Sequence, residues 1–549
     1  MLVILLVLLL AAPAFAQQPV ITQHGFREFR SKSRNIKVTD KALIVDTVSF
    51  SEASTGSLAW GNFELSFKVT MGELGSQYAG FTLTFRSLGG RDCYALTVSP
   101  NALNIQRYYG VYSDSTILGS YNKGMQEGET AEFTIKAEKN RFTVYMDGRL
   151  IIDAVDSQNM YPYGYITVRS ELASLRFENW VLEALEIEDP ELRNRAEQGY
   201  GVPVEFTGGS MLEAKEGEPQ NIMLVYDQYS GKNWMTVDAL PYVTYISAET
   251  FQPQDWFFDS FLFLALSTPG GRNFGGGSPA ILEDYYWWLD RMFASEKLGL
   301  GAFERAIENN KAILGDPEHK ANVIMMIPYP NEIEGTPFGL INGKKPVLTG
   351  NHKEAAAGRL SVVKWWIDEV VKRFNENNYQ NLNLVGFYWL AEDLDLSGID
   401  KLYLPEVGEI VRSLDMKFYW IPWYMSPGYD TWKDLGFDAS IMQPNYMFDV
   451  DISKSRLLKT AALAEKYNLG IEIEADSTVF TPKGKERYFN YLRAANTNGW
   501  ASGVLKAIYQ EVDLLGRAAS SFVPEEREIY DITYDFINGN YKGKLILDK

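Results

Sequence analysis

LGIEIEAD, running from Leu469 to Asp476, decides the fold of the larger part of this chain. Ile471 and Ile473 alternate with Glu472 and Glu474, so a strand here has one apolar face and one anionic face. An anionic face packed under a helix would cost several kcal/mol for each unpaired carboxylate, roughly speaking, so it belongs inside a closed sheet. Working outward, seven more short apolar runs share this grammar: IMLVYD (222–227), FLFLAL (261–266), VIMMIP (323–328), LVGFYWL (384–390), KFYWIP (417–422), ASIMQP (439–444) and GVLKAIY (503–509). Amphipathic stretches separate them. In VVKWWIDEVVKRF, Val362 to Phe374, residues Val363, Trp366, Ile367, Val370 and Phe374 share one stripe, as an outer helix requires. Eight strands alternating with helices are the number and order that close a (β/α)8 TIM barrel.

Upstream the period changes from helical to two. Phe63, Leu65, Phe67 and Val69 alternate with Glu64, Ser66 and Lys68, and Asp147-Gly148 sits between two such runs as a tight hairpin turn. The reading is a multidomain chain: an antiparallel β-sandwich of jelly-roll type over 20–187, a linker rich in Glu, Gly and Pro over 188–220, and the barrel, as catalytic domain, over 221–545. The stretch GYITVRSELASLRFENWVLE, Gly164 to Glu183, resembles the closing strands of concanavalin-A-like (LamG-like) domains, a resemblance that implies a fold and no activity.

The composition narrows the partners. A net charge of -19 and a pI near 4.8 repel phosphate backbones and anionic lipid, so neither nucleic acid nor a membrane surface is expected. Aromatic residues make up 14% of the chain, with 13 Trp and 32 Tyr, and flat rings at a cleft fit the apolar faces of sugars. MLVILLVLLLAAPAFA, Met1 to Ala16, ends in small-x-small and reads as a signal peptide, so a secreted or periplasmic protein with no membrane-spanning segment after cleavage is expected. The single Cys93, in the alternating run CYALTV, reads as a buried strand cysteine. Three histidines, His24, His319 and His352, leave little material for a zinc site or a Ser-His-Asp triad, so the expectation is no metal and no cofactor. Catalysis falls to carboxylates.

Barrel chemistry sits at the carboxyl ends of the strands. There the chain places Asp227 on strand one, Glu392 and Asp393 on strand four, Gln443 and Asn445 on strand six, and Glu472, Glu474 and Asp476 on strand seven. Glycosidic hydrolysis needs two carboxyls, one protonated to assist the leaving oxygen and one ionised. Glu392 fits the general acid/base and Glu474 the nucleophile; the structural alternative for Glu472 and Glu474 is an ion-paired network with Lys506 and Arg493. Around them Asp227, Tyr388, Trp423, Gln443, Asn445, Arg272 and Glu472 are read as shaping the sugar site. Each has a plainer alternative: packing for Trp423, turn-making for Asn445, a cap for Asp227. The glycine-rich TPGGRNFGGGSP, Thr268 to Pro279, lacks the Gly-Lys-Ser/Thr of a phosphate loop and reads as a cleft rim carrying Arg272. The long YPNEIEGTPFGLINGKKPVLTG after strand three reads as a wall of the cleft.

An acid on strand four and a nucleophile on strand seven resemble the arrangement of the large clan of retaining (β/α)8 glycoside hydrolases, with Ala391 standing where that clan usually has Asn. LVYDQYSGKNW, FYWLAEDLD, FYWIPWY and IMQPNY resemble the DUF4855 proteins over most of 220–545, which implies a glycoside-hydrolase-like barrel in an exported bacterial protein. The expected function is hydrolysis of a poly- or oligosaccharide by a retaining mechanism. Two alternatives stay open: a non-catalytic carbohydrate-binding protein, and an inverting hydrolase or lyase using Asp393 or Asp476.

Overall fold

Eight parallel strands close a barrel in chain order in the computed structural model, which describes residues 20–545 apart from 32, 88–91, 110–113, 158–160, 188–192, 194–208, 228–231, 296, 397, 451 and 453. They are β1 (Asn221–Tyr226), β2 (Ser260–Leu264), β3 (Ala321–Ile327), β4 (Leu382–Trp389), β5 (Lys417–Trp420), β6 (Ala439–Met442), β7 (Gly470–Glu474) and β8 (Lys506–Tyr509), and β8 returns to pair with β1. Every one lies where an apolar run was read. The reason is burial on both faces: β1, β2 and β7 are buried along their whole length, so the strands appear in the sequence as short continuous apolar blocks. The helix His352–Asn377 buries Val363, Trp366, Ile367, Val370 and Phe374, the expected stripe, and begins where the Asn351 side chain accepts from the amides of Lys353 and Glu354.

The regular alternation breaks once. Between β5 and β6, residues 421–438 form turns and no helix, whereas helices occupy the other crossovers. Pro422 and Pro427 interrupt the segment, and Gly428 and Gly436 adopt left-handed φ of 92° and 93°. Aromatic packing fills the space a helix would take: Phe437 stacks on Trp420 at 5.1 Å, and the Trp432 indole donates to the Tyr467 carbonyl at 2.9 Å. The barrel is a closed eight-stranded parallel sheet with one irregular crossover, not a complete (β/α)8 repeat.

The chain divides into two compact units, one ending at Val202 and the other starting at Pro203. The first is an antiparallel β-sandwich built from one twelve-stranded sheet. Its organising element is the 22-residue strand Tyr165–Glu186, which pairs with Val20–His24, Ala42–Thr55, Trp60–Leu74 and Gly80–Ser87. Asp147 and Gly148 turn the hairpin with φ of 51° and 73°, as read, and Cys93 is a buried strand residue. The signal-peptide reading of Met1–Ala16 and most of the expected linker lie outside the described residues. The last part of that linker belongs to the barrel unit: the Leu212 amide donates to the Leu469 carbonyl and the Ala214 amide to that of Gly503. Among the described residues no helix is long and apolar enough to cross a membrane.

Candidate functional site

Three glutamates gather at the carboxyl end of the barrel. Glu392 stands just beyond β4, where the Trp420 indole fixes the preceding residue by donating to the Ala391 carbonyl at 2.9 Å. Its surface is open to solvent, yet the surrounding protein raises its carboxyl above the usual range, against a hydrogen bond from Gln443 that lowers it. Glu472 and Glu474 come from β7, in register with Ala507 and Tyr509 of β8.

The two β7 acids are treated differently. Glu474 is fully buried, with Oε1 accepting from the Asn445 amide at 3.0 Å and from Asn445 Nδ2 at 3.3 Å. Its Oε2 accepts from the Tyr446 amide at 3.2 Å and from the Tyr491 hydroxyl. Asn445 can aim two consecutive amides at one carboxylate because it sits at φ 48°, a left-handed conformation asparagine tolerates better than most residues. Burial still pushes the Glu474 carboxyl up, against these donors. Glu472, 2% exposed, has no such support, and its Oε1 has no hydrogen-bond partner. Burial, reinforced by the charges of Glu474 and Glu392, holds its carboxyl well above the usual range. No ion pair neutralises any of the three among the described residues. Lys506 donates to the Val504 carbonyl at 2.7 Å, and burial lowers its ammonium to about 8. Arg493 pairs with Glu486, so the ion-paired alternative for β7 is not what forms.

Tyrosines wall the cluster. Tyr388 of β4 and Tyr226 of β1 both feel Glu392 and Glu472, and Tyr509 of β8 feels Glu472 and Glu474. Burial raises all three phenols, which therefore stay protonated and available as donors. Tyr226 meets Tyr509 edge-on at 5.7 Å, and the exposed Phe448 meets the same ring at 5.7 Å. Trp423 is half-buried beyond β5. Gln443 accepts from Asn445 Nδ2 at 3.0 Å and donates to the Ile421 carbonyl at 3.1 Å, while Asn445 Oδ1 accepts from the Tyr424 amide at 2.8 Å. The Asn445 amide is thus spent on orienting Glu474 and the β5 and β6 loops.

Two expected site residues are each held by an ion pair. Asp227 pairs with Arg291 on the helix Leu282–Met292, and the Trp288 indole of that helix donates to its carbonyl at 3.0 Å. Burial raises this acid to about 6 despite the arginine. Arg272 grips Asp284 on the same helix, Nη2 to Oδ1 at 2.9 Å, and so anchors the glycine-rich loop. Of the alternative acids, Asp476 caps the turn Ser477–Phe480 through the Thr478 amide at 2.9 Å, and Asp393 accepts from the Ser426 hydroxyl at 3.3 Å. Buried Arg359 and Asp400 form an ion pair joined by the half-buried Tyr329, and Asp400 accepts from the Asp395 amide at 2.9 Å, steadying the loop that carries Glu392. Tyr226 and Tyr509 end their strands and were open to the same rule that found Glu392. Tyr491 belongs to the helix Pro482–Thr497 and had no such signal. Among the described residues no group of three or more His, Cys, Asp or Glu is arranged to hold a metal ion.

Comparison with solved structures finds similarity to a carbohydrate-binding module, CBM66, from Bacillus subtilis, at 19% identity and TM-score 0.25, covering 29% of this chain and 96% of that one. The exoplasmic/lumenal domain of VIP36, in a form bound to Ca2+ and Man3GlcNAc, is similar at 12% identity and TM-score 0.24, covering 32% and 96%. The transglycosylase Crh5 is similar at 10% identity and TM-score 0.22, covering 30% and 84%. Comparison with curated proteins finds no match. The family match falls on the barrel: residues 221–535, more than half of the chain and all eight of its strands, match DUF4855, described as a domain of unknown function. The chain therefore belongs to the DUF4855 family.

Proposed function

We propose that the protein is an exported glycoside hydrolase acting on a poly- or oligosaccharide, with Glu392 as general acid/base and Glu474 as nucleophile of a retaining mechanism. The barrel is then a (β/α)8 enzyme that has lost the helix of one crossover. The observation that carries this reading is the unequal support of two acids at the carboxyl ends of β4 and β7. Glu392 faces solvent with its proton favoured by its surroundings, and Glu474 faces four donors that favour its anion over the bare buried group.

In this mechanism Glu392 gives its proton to the glycosidic oxygen as the bond to the anomeric carbon breaks, and Glu474 forms an ester at that carbon. Glu392, now a base, takes a proton from water, which attacks the same carbon and releases Glu474. Because Glu474 is covered, an arriving sugar has to displace the Asn445–Tyr446 turn from one of its oxygens. Phe448, Tyr509 and Trp423 supply flat apolar surface for the ring. Reducing-end release from a panel of bacterial, fungal and algal polysaccharides tests the proposal. Glu392→Gln should lose about 10²–10⁴-fold in turnover on natural glycans, and Glu474→Gln should lose at least as much. Wild-type rates in either variant would overturn the assignment; retained activity in Glu474→Gln with loss in Glu472→Gln would move the nucleophile down the strand. Binding without cleavage across the panel would favour a carbohydrate-binding protein.

A further inference from the structure

We infer that Glu472 receives a primary ammonium group, so that the sugar accepted at the barrel mouth carries a free amine. The inference rests on the glycan reading of this site and adds the charge of its ligand. Hydrolysis accounts for Glu392 and Glu474. It leaves Glu472 without a task, two residues before Glu474 on β7, 2% exposed and with an oxygen that no donor reaches. The ionisable groups around it are Glu392, Glu474 and the phenols of Tyr226, Tyr388 and Tyr509, with no lysine, arginine or histidine paired to the acids among the described residues.

Three neighbouring carboxyls cannot all ionise in a site of low polarity, so Glu472 keeps a proton while the site is empty. A sugar hydroxyl would satisfy one hydrogen bond and leave the excess of negative charge as it was. An ammonium brings three donors and the missing positive charge together. On its arrival the Glu472 proton leaves to solvent, and carboxylate and ammonium form an ion pair beside Glu392 and Glu474. The chain's net charge of -19 also favours the approach of a cationic glycan over an anionic one. An N-acetylated sugar has no charge at that nitrogen and gains nothing from the site.

Calorimetric titration of the full chain with glucosamine and galactosamine, each against glucose and galactose, tests this without requiring turnover. The amino sugars should bind about tenfold or more tightly, as a charge-assisted hydrogen bond allows. Their heat of binding should change with the ionisation enthalpy of the buffer, which reports the released proton. Glu472→Gln should bring the affinity for glucosamine and galactosamine to that for glucose and galactose in the same variant; Glu472→Asp, which keeps the charge, should retain part of the advantage. Equal affinity within both pairs, including no binding of either member, would overturn the inference, as would an advantage that survives Glu472→Gln. Cleavage of neutral glycans with no preference for amines would sink this inference and leave the hydrolytic reading standing. Tight amine binding with no cleavage of any glycan would do the reverse.

Discussion

Asp156 in the sandwich and Glu472 in the barrel are equally buried, each 2% exposed, and the two regions treat that burden in opposite ways. Asp156 takes an ion pair from Arg107 at 2.7 Å and a hydrogen bond from the Tyr94 hydroxyl at 2.6 Å. Glu472 has two other acids for neighbours and an oxygen with no donor. Within the sandwich the charge is satisfied by the fold itself, which is what a framework requires. At the barrel mouth the fold leaves it unanswered, and the proposed ammonium would answer it. Conflicts between local chemistry and stability collect at functional sites, and the contrast places this chain's conflict at the carboxyl end of β4 and β7.

The largest effect that would break this contrast lies in the sandwich. Asp156→Ala strands a buried guanidinium, a loss worth about 3–5 kcal/mol. Urea unfolding should show the sandwich transition moved to lower denaturant by that amount. An unchanged midpoint would mean that the Arg107–Asp156 pair is as dispensable as a surface ion pair.

An intermediate effect is expected where the two treatments meet, at Asn445. Asn445→Ala removes one donor from Glu474 and the acceptor that holds the Tyr424 amide, at a cost of about 1–3 kcal/mol. Turnover should fall by roughly tenfold or more through looser placement of the nucleophile. Wild-type turnover would mean that the tether at Glu474 is irrelevant to chemistry.

The smallest effect has the opposite sign. Glu472 has its folded pKa raised, so between its unfolded value and that raised value the native state binds more protons than the unfolded one. Its contribution to stability is complete below the ordinary carboxyl range and is lost as pH rises through the folded value. Glu472→Gln removes this dependence, so the variant should gain on the wild type as pH rises from 5 to 8, by about 2–4 °C in Tm for each kcal/mol. A variant that loses stability steadily over that range would show that Glu472 is ionised and well compensated after all.

Much of the fold was legible because its strands are buried on both faces. IMLVYD, FLFLAL and LGIEIE became β1, β2 and β7, since no solvent-facing polar residue interrupts such a strand. The general alternation of strands and helices implied a helix between the fifth and sixth strands, and none forms: Pro422, Pro427, Gly428 and Gly436 interrupt the segment, and stacking of Phe437 on Trp420 completes the packing. The strand-end rule brought Glu392, Tyr388, Gln443, Asn445, Glu472 and Glu474 into one region. What it could not show is that Asp227, and Arg272 of the glycine-rich loop, are taken up by Arg291 and Asp284, 64 and 12 residues away on a helix whose approach only the folded chain fixes. Tyr491, which donates to Glu474 from an outer helix, was hidden for the same reason. Sequence spacing locates what a strand presents; what meets it is decided by tertiary packing.

The most direct test of the central claim, a two-carboxyl hydrolytic site at the barrel mouth, is rescue by azide of Glu392→Ala on an aryl glycoside with an activated leaving group. Such a leaving group departs without protonation, so Glu474 should still form the glycosyl-enzyme, and the missing base should then limit turnover. Azide, which needs no base, should restore the rate at least about tenfold and yield a glycosyl azide of retained anomeric configuration. No rescue, or a glycosyl azide of inverted configuration, would contradict the assignment of Glu392 and Glu474.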